Sequence, residues 1–117
     1  MPVFTLTTDF GLRDHYVASL KGTILRQCPQ AQIIDITHQV SSFNINEAAF
    51  TLHNAYAQFP ANTVHLVSVE SFEAVSSRYI ALERNGHFFI GPDNGIFSLA
   101  FHETPQQAAE LIDGATA

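Results

Sequence analysis

The chain has 117 residues, of which 46% are hydrophobic and 14% are charged, and this balance predicts one globular domain with a buried core. Its formal net charge of −6 argues against a nucleic-acid partner, because phosphates are bound by basic surfaces. The sequence shows neither a signal peptide nor an apolar run of membrane length, so we expect a cytoplasmic protein with no membrane partner.

The first predicted strand, Val3–Thr7, is rich in β-branched and aromatic residues and leads into Asp9 and Gly11. In α/β sheets, ligands bind in the crevice outside the carboxyl ends of the strands. Asp9 is therefore either a ligand-binding carboxylate or only the residue that closes a turn. The local pattern leaves both interpretations open.

The first predicted helix carries apolar residues at helical spacing from Val17 to Cys28 and ends before Pro29. Asp14 is placed as its N-cap, and this structural role is favoured, although the positive end of the helix could also orient a ligand. Cys28 is the single cysteine, which excludes an internal disulfide. Its place on the apolar face predicts a core position.

The second predicted strand, Gln32–Thr37, is followed by a loop and by a helix with clear start signals. Asn44 is the expected N-cap, and Glu47 stands three places on, as in a capping box. Phe43 is either a hydrophobic staple against the first turn, which the pattern favours, or an aromatic wall of a ligand site. The helix has one apolar face, which consists of Ile45, Ala48, Ala49, Leu52, Tyr56 and Phe59.

The rest of the chain predicts further strands. The third is Val64–Val69, and after a loop at 71–77 the segments Tyr79–Glu83 and His87–Ile90 form a hairpin that turns at Asn85-Gly86. A turn at 91–95, a short apolar segment at 96–101 and an edge strand at 109–112 complete the prediction.

Four loops follow predicted strand ends, and their candidates are Asp9, Phe43, Glu70 and Asn94. Alternating strands and helices place the first three strands in a parallel sheet, so three of these residues share one edge. The place of Asn94 depends on a strand direction that the pattern leaves open. No histidine has a partner at metal-ligand spacing, and phosphate-loop, dinucleotide and nucleophile-elbow motifs are absent from the sequence.

Short motifs distributed along most of the chain point to a known family. They are Thr7-Thr8-Asp9-Phe10-Gly11, Leu20-Lys21-Gly22, Ile34-Asp35-Ile36-Thr37-His38, Glu47-Ala48-Ala49, Phe59-Pro60 with Thr63-Val64-His65, and Gly91-Pro92-Asp93-Asn94-Gly95. Together these motifs resemble the N-terminal domain of the S-adenosylmethionine hydroxide adenosyltransferases, relatives of the S-adenosylmethionine-dependent chlorinases and fluorinases.

The resemblance implies one α/β domain over residues 1–117, with a mainly parallel sheet flanked by helices in a Rossmann-like three-layer arrangement. It implies a further C-terminal β-barrel domain, which this sequence lacks, so the chain is expected to be a fragment or an isolated N-terminal domain. It also implies a homotrimer whose active sites lie between subunits. No metal or cofactor is implied, because the sulfonium substrate itself supplies the leaving group.

The implied reaction is attack of water or hydroxide on C5′ of S-adenosylmethionine, which releases adenosine and L-methionine. By resemblance, Asp9 binds the ribose hydroxyls, Asp14 contacts the methionine portion and Phe43 lies beside the nucleoside. Asn94 falls in a matched motif as a substrate-site candidate to which the resemblance assigns no role.

The chain departs from the family pattern after the third strand. Glu70 stands where the family has a catalytic Asp, and Arg78 is left beside Ser77 where the family has two arginines. A third catalytic residue, a His, lies beyond Ala117 in the family. Glu70 and Arg78 are therefore the catalytic candidates. The alternatives are a non-catalytic nucleoside-binding or assembly module and, less favoured because Glu70 would repel a halide, a halogenase.

Overall fold

A computed structural model describes residues 2–69 and 78–101 and the backbone of strand Ala108–Leu111. Glu70 and the predicted loop at 71–77 lie outside the described residues. The strands are β1 (Val3–Thr8), β2 (Gln32–Thr37), β3 (Val64–Ser68), β4 (Tyr79–Arg84), β5 (His87–Pro92) and β6 (Ala108–Leu111). The helices are α1 (Tyr16–Gln27), α2 (Ile45–Ala55) and α3 (Ile96–Phe101), and a 3₁₀ turn, Tyr56–Gln58, follows α2.

The strands form one mainly parallel sheet in the order β2-β1-β3-β5-β4-β6. Strands β1, β2, β3 and β5 run parallel, and β4 is antiparallel to both of its neighbours. The hairpin explains that exception, because Asn85 (φ 53°) and Gly86 (φ 81°) form the two-residue turn with positive φ that joins antiparallel strands. The predicted α/β class and mainly parallel sheet are confirmed.

The core lies between one face of the sheet and helices α2 and α3. Of the predicted face of α2, Ala48, Ala49 and Leu52 are buried. Segment 96–101, predicted only as a short apolar stretch, is helix α3, and it buries Ile96 and three further residues. Leu6 is buried but is not part of this core cluster, so it faces the other side of the sheet, and its register partner Asp35 faces the same side. Lys21 of α1 donates to Asp35, so α1 lies on that opposite side. The sheet thus has helices on both faces.

Helix α1 corrects two predictions. It begins at Tyr16, and its N-cap is His15, so the assignment of Asp14 as N-cap is wrong. Asp14 lies one residue before the cap position, so it does not occupy the place from which a side chain caps the first-turn amides. None of the residues of α1 is fully buried, and Cys28, which follows the helix, is half-buried, so its predicted core position is also wrong. An apolar stripe on a helix does not show how completely the stripe is covered.

Helix α2 begins as predicted at the Asn44 cap, whose side-chain oxygen accepts a hydrogen bond from Glu47 N at 3.0 Å. The Glu47 carboxylate accepts from the backbone of Ser41, at 3.3 and 3.4 Å. It therefore secures the loop before the helix. Among the described residues, no helix combines the length and apolar character needed to cross a lipid bilayer.

Candidate functional site

The loops after β1, β2 and β5 meet around the carboxyl end of β3. Asp9 N donates to Ser68 O at 3.4 Å, and Asn94 Nδ2 donates to Val69 O at 2.9 Å. A backbone hydrogen bond from Phe43 reaches the Asp9 carboxylate. The structure therefore brings Asp9, Phe43 and Asn94 to one edge of the sheet. The direction of β5, which the sequence left open, places Asn94 there.

Asp9 is a partly buried carboxylate at this edge. Burial raises the pKa of Asp9, and backbone hydrogen bonds from Asp9 itself and from Phe43 oppose that rise without cancelling it. An ionised carboxylate only accepts hydrogen bonds, and a partly dehydrated one gains from further donors. Asp9 is thus suited to a ligand with hydroxyl groups.

Phe43 lies on the loop that contacts Asp9, and it adopts a left-handed backbone conformation with φ 64°. That conformation costs a residue with a Cβ atom about 1 kcal/mol. Its side chain is 44% exposed, which leaves ring surface at the site edge. The staple and the aromatic-wall interpretations both stay predictions, and the exposed ring is compatible with the wall.

The Asn94 side chain connects neighbouring segments of the fold. Besides its bond to Val69 O, its Oδ1 accepts from Ile96 N at 3.4 Å, at the start of α3. The nearby Gly91 has no room for a side chain, since a Cβ atom there would lie 3.0 Å from the Phe97 ring and from Val67 O. This matched motif therefore ties β5 and α3 to the end of β3.

Arg78 and Asp14 are the remaining described candidates. Arg78 Nε donates to Asp93 Oδ2 at 2.9 Å, and Asp93 N donates to Arg78 O at 2.8 Å. Because β4 is antiparallel, its first residues lie at the same sheet edge as the ends of β3 and β5, and Arg78 precedes them. Asp14 is exposed in the segment between β1 and α1. Glu70, which follows Val69 in sequence, lies outside the described residues.

A series of hydrogen-bonded polar side chains leads to Thr8, the residue before Asp9. These side chains were not assigned to the site from the sequence. His38 Nδ1 lies 2.7 Å from Thr8 Oγ1, and His38 Nε2 lies 2.8 Å from Asp35 Oδ1. Lys21 Nζ donates to Asp35 Oδ2 at 2.9 Å. Burial alone raises the pKa of Asp35, but hydrogen bonds and charge from Lys21 and His38 outweigh it and lower the pKa. The signal in the sequence was the position of His38 at the end of β2.

A second histidine cluster lies in the core. His65 contacts Thr5 Oγ1 through Nδ1 at 2.6 Å and His87 Nδ1 through Nε2 at 3.1 Å. Burial, with a smaller effect of His87, lowers the pKa of His65 to about 4. The ring is therefore neutral near pH 7 and packs as a core residue. Within the described ranges, no group of three or more potential ligands could hold a metal ion.

Comparisons with known proteins place this geometry in a family. The model of the SAM hydroxide adenosyltransferase N-terminal domain matches residues 4–116. The chain is 37% identical over 103 residues to a protein of Methanocaldococcus jannaschii named (R)-S-adenosyl-L-methionine hydrolase, covering 84% of this chain and 39% of that protein. A protein of Nocardia brasiliensis named fluorinase is 23% identical over 125 residues, covering 87% of this chain and 42% of that protein.

A solved structure agrees with these matches. The crystal structure of an uncharacterised conserved protein from Thermotoga maritima superposes with a TM-score of 0.82 at 38% identity, covering 94% of this chain and 43% of that one. The chain thus spans about 40% of the length of the curated relatives it matches. It belongs to the family of SAM hydroxide adenosyltransferase N-terminal domains.

Proposed function

We propose that the natural protein carrying this chain hydrolyses S-adenosylmethionine to adenosine and L-methionine, and that Asp9 binds the ribose. The observation that carries the proposal is the partly buried Asp9 carboxylate at the sheet edge, held by the backbone of Phe43. One carboxylate can accept hydrogen bonds from both ribose hydroxyls at once. The naming of the Methanocaldococcus jannaschii relative as a hydrolase supports this substrate.

In the proposed reaction, a water oxygen bonds to C5′ as the bond from C5′ to sulfur breaks. The sulfur leaves with the electron pair as neutral methionine, and the water proton passes to a base. Because sulfonium is already a good leaving group, the protein mainly has to orient and partly desolvate the water. Glu70 is proposed as that base, and Arg78 is proposed to polarise the water.

The other groups of the site have binding roles in this proposal. Phe43 packs beside the nucleoside, and Asp14 contacts the methionine portion. Asn94 supports the site by holding the β5–α3 connection against Val69. No metal or cofactor is invoked, since the substrate supplies its own leaving group.

Hydrolysis is preferred over halide transfer on two grounds. The relative named as a hydrolase is 37% identical to the chain, whereas the fluorinase is 23% identical. A carboxylate at position 70 would also repel an approaching halide ion, while it can accept a proton from water.

A non-catalytic nucleoside-binding or assembly module is the second candidate. The substitution of Glu70 for Asp, together with Ser77 in place of Arg, favours it, because both positions belong to the catalytic set of the family. Homotrimer assembly and a cytoplasmic location are further parts of the proposal. Sedimentation and cell fractionation would test these two parts.

The experiment that tests the proposal is product analysis by mass spectrometry after incubating the full natural protein with S-adenosylmethionine. Adenosine and methionine in equal amounts support hydrolysis. Bound but unchanged S-adenosylmethionine would favour the binding module. A 5′-halogenated nucleoside formed in chloride or fluoride buffer would favour halide transfer instead.

A further inference from the structure

A continuous chain of hydrogen bonds runs from helix α1 to the residue before Asp9. It connects Lys21 to Asp35 at 2.9 Å, Asp35 to His38 at 2.8 Å, and His38 to Thr8 at 2.7 Å. His38 is 3% exposed and Thr8 is 1% exposed, whereas the side chains of the other two residues are more than a third exposed. These hydrogen bonds therefore link the exposed Lys21–Asp35 ion pair to the buried His38 ring and Thr8 hydroxyl.

The Asp35 carboxylate sets the direction of these hydrogen bonds. An ionised carboxylate only accepts, so His38 Nε2 must carry the donated proton. When the ring is neutral, Nδ1 accepts from the Thr8 hydroxyl, and when the ring is protonated, Nδ1 donates to Thr8 Oγ1. A lone pair of Thr8 Oγ1 in turn accepts from Phe10 N at 3.2 Å. In both protonation states the Thr8–His38 and Phe10–Thr8 hydrogen bonds are kept, and together they secure the residue on each side of Asp9.

The backbone joins the same two loops. Gly11 N donates to His38 O at 2.6 Å, and Val40 N donates to Thr8 O at 3.3 Å. Phe43, farther along the second loop, makes a backbone hydrogen bond to the Asp9 carboxylate. The β1–α1 and β2–α2 loops are therefore connected on both sides of Asp9, with Thr8 and His38 as the buried connection between them.

We propose that Thr8 and His38 are positioning residues that fix the Asp9 carboxylate in the orientation needed to bind two vicinal hydroxyl groups. The inference rests on the proposed role of Asp9 in ribose binding. A two-point hydrogen bond is sensitive to small changes of angle, so a loosened loop weakens it more than it weakens contacts to the rest of a ligand. Neither residue touches the ligand in this role.

The test measures the affinities of adenosine and 2′,3′-dideoxyadenosine by calorimetry and takes their ratio, in the full natural protein. Thr8→Val removes the hydroxyl at nearly constant volume, and we expect it to reduce the preference for adenosine by about fivefold, the effect of one lost hydrogen bond. Thr8→Ser keeps the hydroxyl and should keep the preference.

The matched control is Thr63→Val. Thr63 is equally buried, and its hydroxyl donates to Pro60 O at 2.6 Å before the start of β3, at the other edge of the sheet. A general loss of stability would affect both threonine variants and both ligands alike. A Thr8→Val protein that keeps the full preference for adenosine would overturn the inference. A wild-type protein without any preference would instead contradict the proposed role of Asp9 itself.

A second pair of variants decides the question should Thr8→Val fail to fold. His38→Asn places a side-chain oxygen near the position of Nδ1 and can still accept from Thr8, whereas His38→Gln extends toward Asp35 and leaves Thr8 without its acceptor. We expect the adenosine preference to persist in the Asn variant and to fall in the Gln variant. Equal preferences in the two variants would contradict the positioning role.

Discussion

Asp9 shows how a residue with an ambiguous local pattern acquires a defined environment in the fold. The sequence left open whether it binds a ligand or closes a turn. In the structure, it lies beside the end of β3 and carries a raised pKa because burial outweighs its backbone hydrogen bonds. A turn residue at an exposed position would not carry this desolvation cost. This is the physical reason for centring the proposed function on Asp9.

We predict that Asp9→Ala weakens adenosine binding by about tenfold or more in the full natural protein, because charge-assisted hydrogen bonds are lost. Binding of 2′,3′-dideoxyadenosine should change little. Calorimetry with both ligands measures the difference. Glu83→Ala, which removes one exposed carboxylate near the hairpin turn, is the control for net charge. Equal losses for the two ligands would exclude the ribose role.

Glu70 carries the second prediction at this scale. If the protein is a hydrolase, Glu70→Gln keeps the size of the side chain but removes the base, so single-turnover hydrolysis should slow by about a hundredfold. Substrate affinity should change little, because Gln retains hydrogen-bonding capacity. Glu73→Gln, three residues on in the sequence, is the matched control. An unchanged rate in Glu70→Gln would remove Glu70 from the mechanism and favour the binding module.

Among the helices, strands and turns, the features predicted from the sequence were those that depend on neighbouring residues. The Asn85-Gly86 turn and the Asn44 cap were predictable because their backbone conformations and hydrogen bonds involve neighbouring residues. Helix α3 was missed because its six residues are nearly all apolar and show no polar face. The burial of α1 was misjudged because periodicity identifies an apolar face without showing what covers it.

The Thr8–His38 connection was hidden for a different reason. It depends on the pairing of β1 with β2, whose register shifts between Leu6 and Thr7. A register shift changes which side chains face each other, and no pattern within either strand reports it. The candidates at the sheet edge were easier to group, since strand order alone brings parallel strand ends together.

We predict that the buried and contacting pair His65 and His87 makes the protein less stable in acid. His65 has a pKa of about 4 in the folded chain and a usual value of 6.5, so below pH 6.5 the unfolded chain binds a proton that the folded chain does not. Stability is therefore full above pH 6.5 and falls as the pH drops toward 4. Between pH 7 and pH 5 the free energy of unfolding should decrease by about 2 kcal/mol.

Urea denaturation at several pH values measures this effect. His65→Asn cannot titrate but still offers a partner to Thr5, so it should lose the larger part of the pH dependence; burial also lowers the pKa of His87, which accounts for a remainder. His15→Asn, at an exposed position, is the control. An unchanged pH dependence in His65→Asn would show that other groups cause the acid sensitivity.

Across the whole molecule, the groups described for the site all come from one edge of the sheet. The sheet edge supplies a carboxylate, an exposed aromatic ring and an arginine, all from loops after or before neighbouring strands. The chain spans about 40% of the length of the curated relatives it matches. The family resemblance places a third catalytic residue, a His, beyond Ala117.

We therefore predict that residues 1–117, purified alone, turn over S-adenosylmethionine no faster than a buffer control. The physical reason is that positioning dominates this reaction, and a water held by only part of the catalytic set rarely reaches C5′ in line with the departing sulfur. Circular dichroism should first show the α/β fold, so that an inactive result reports on the site and not on unfolding. The full natural protein at the same concentration is the positive control. Adenosine and methionine produced by the isolated 117 residues above the buffer rate would show that the loops around Asp9 form a self-contained active site, and the proposed dependence on further segments would then be wrong.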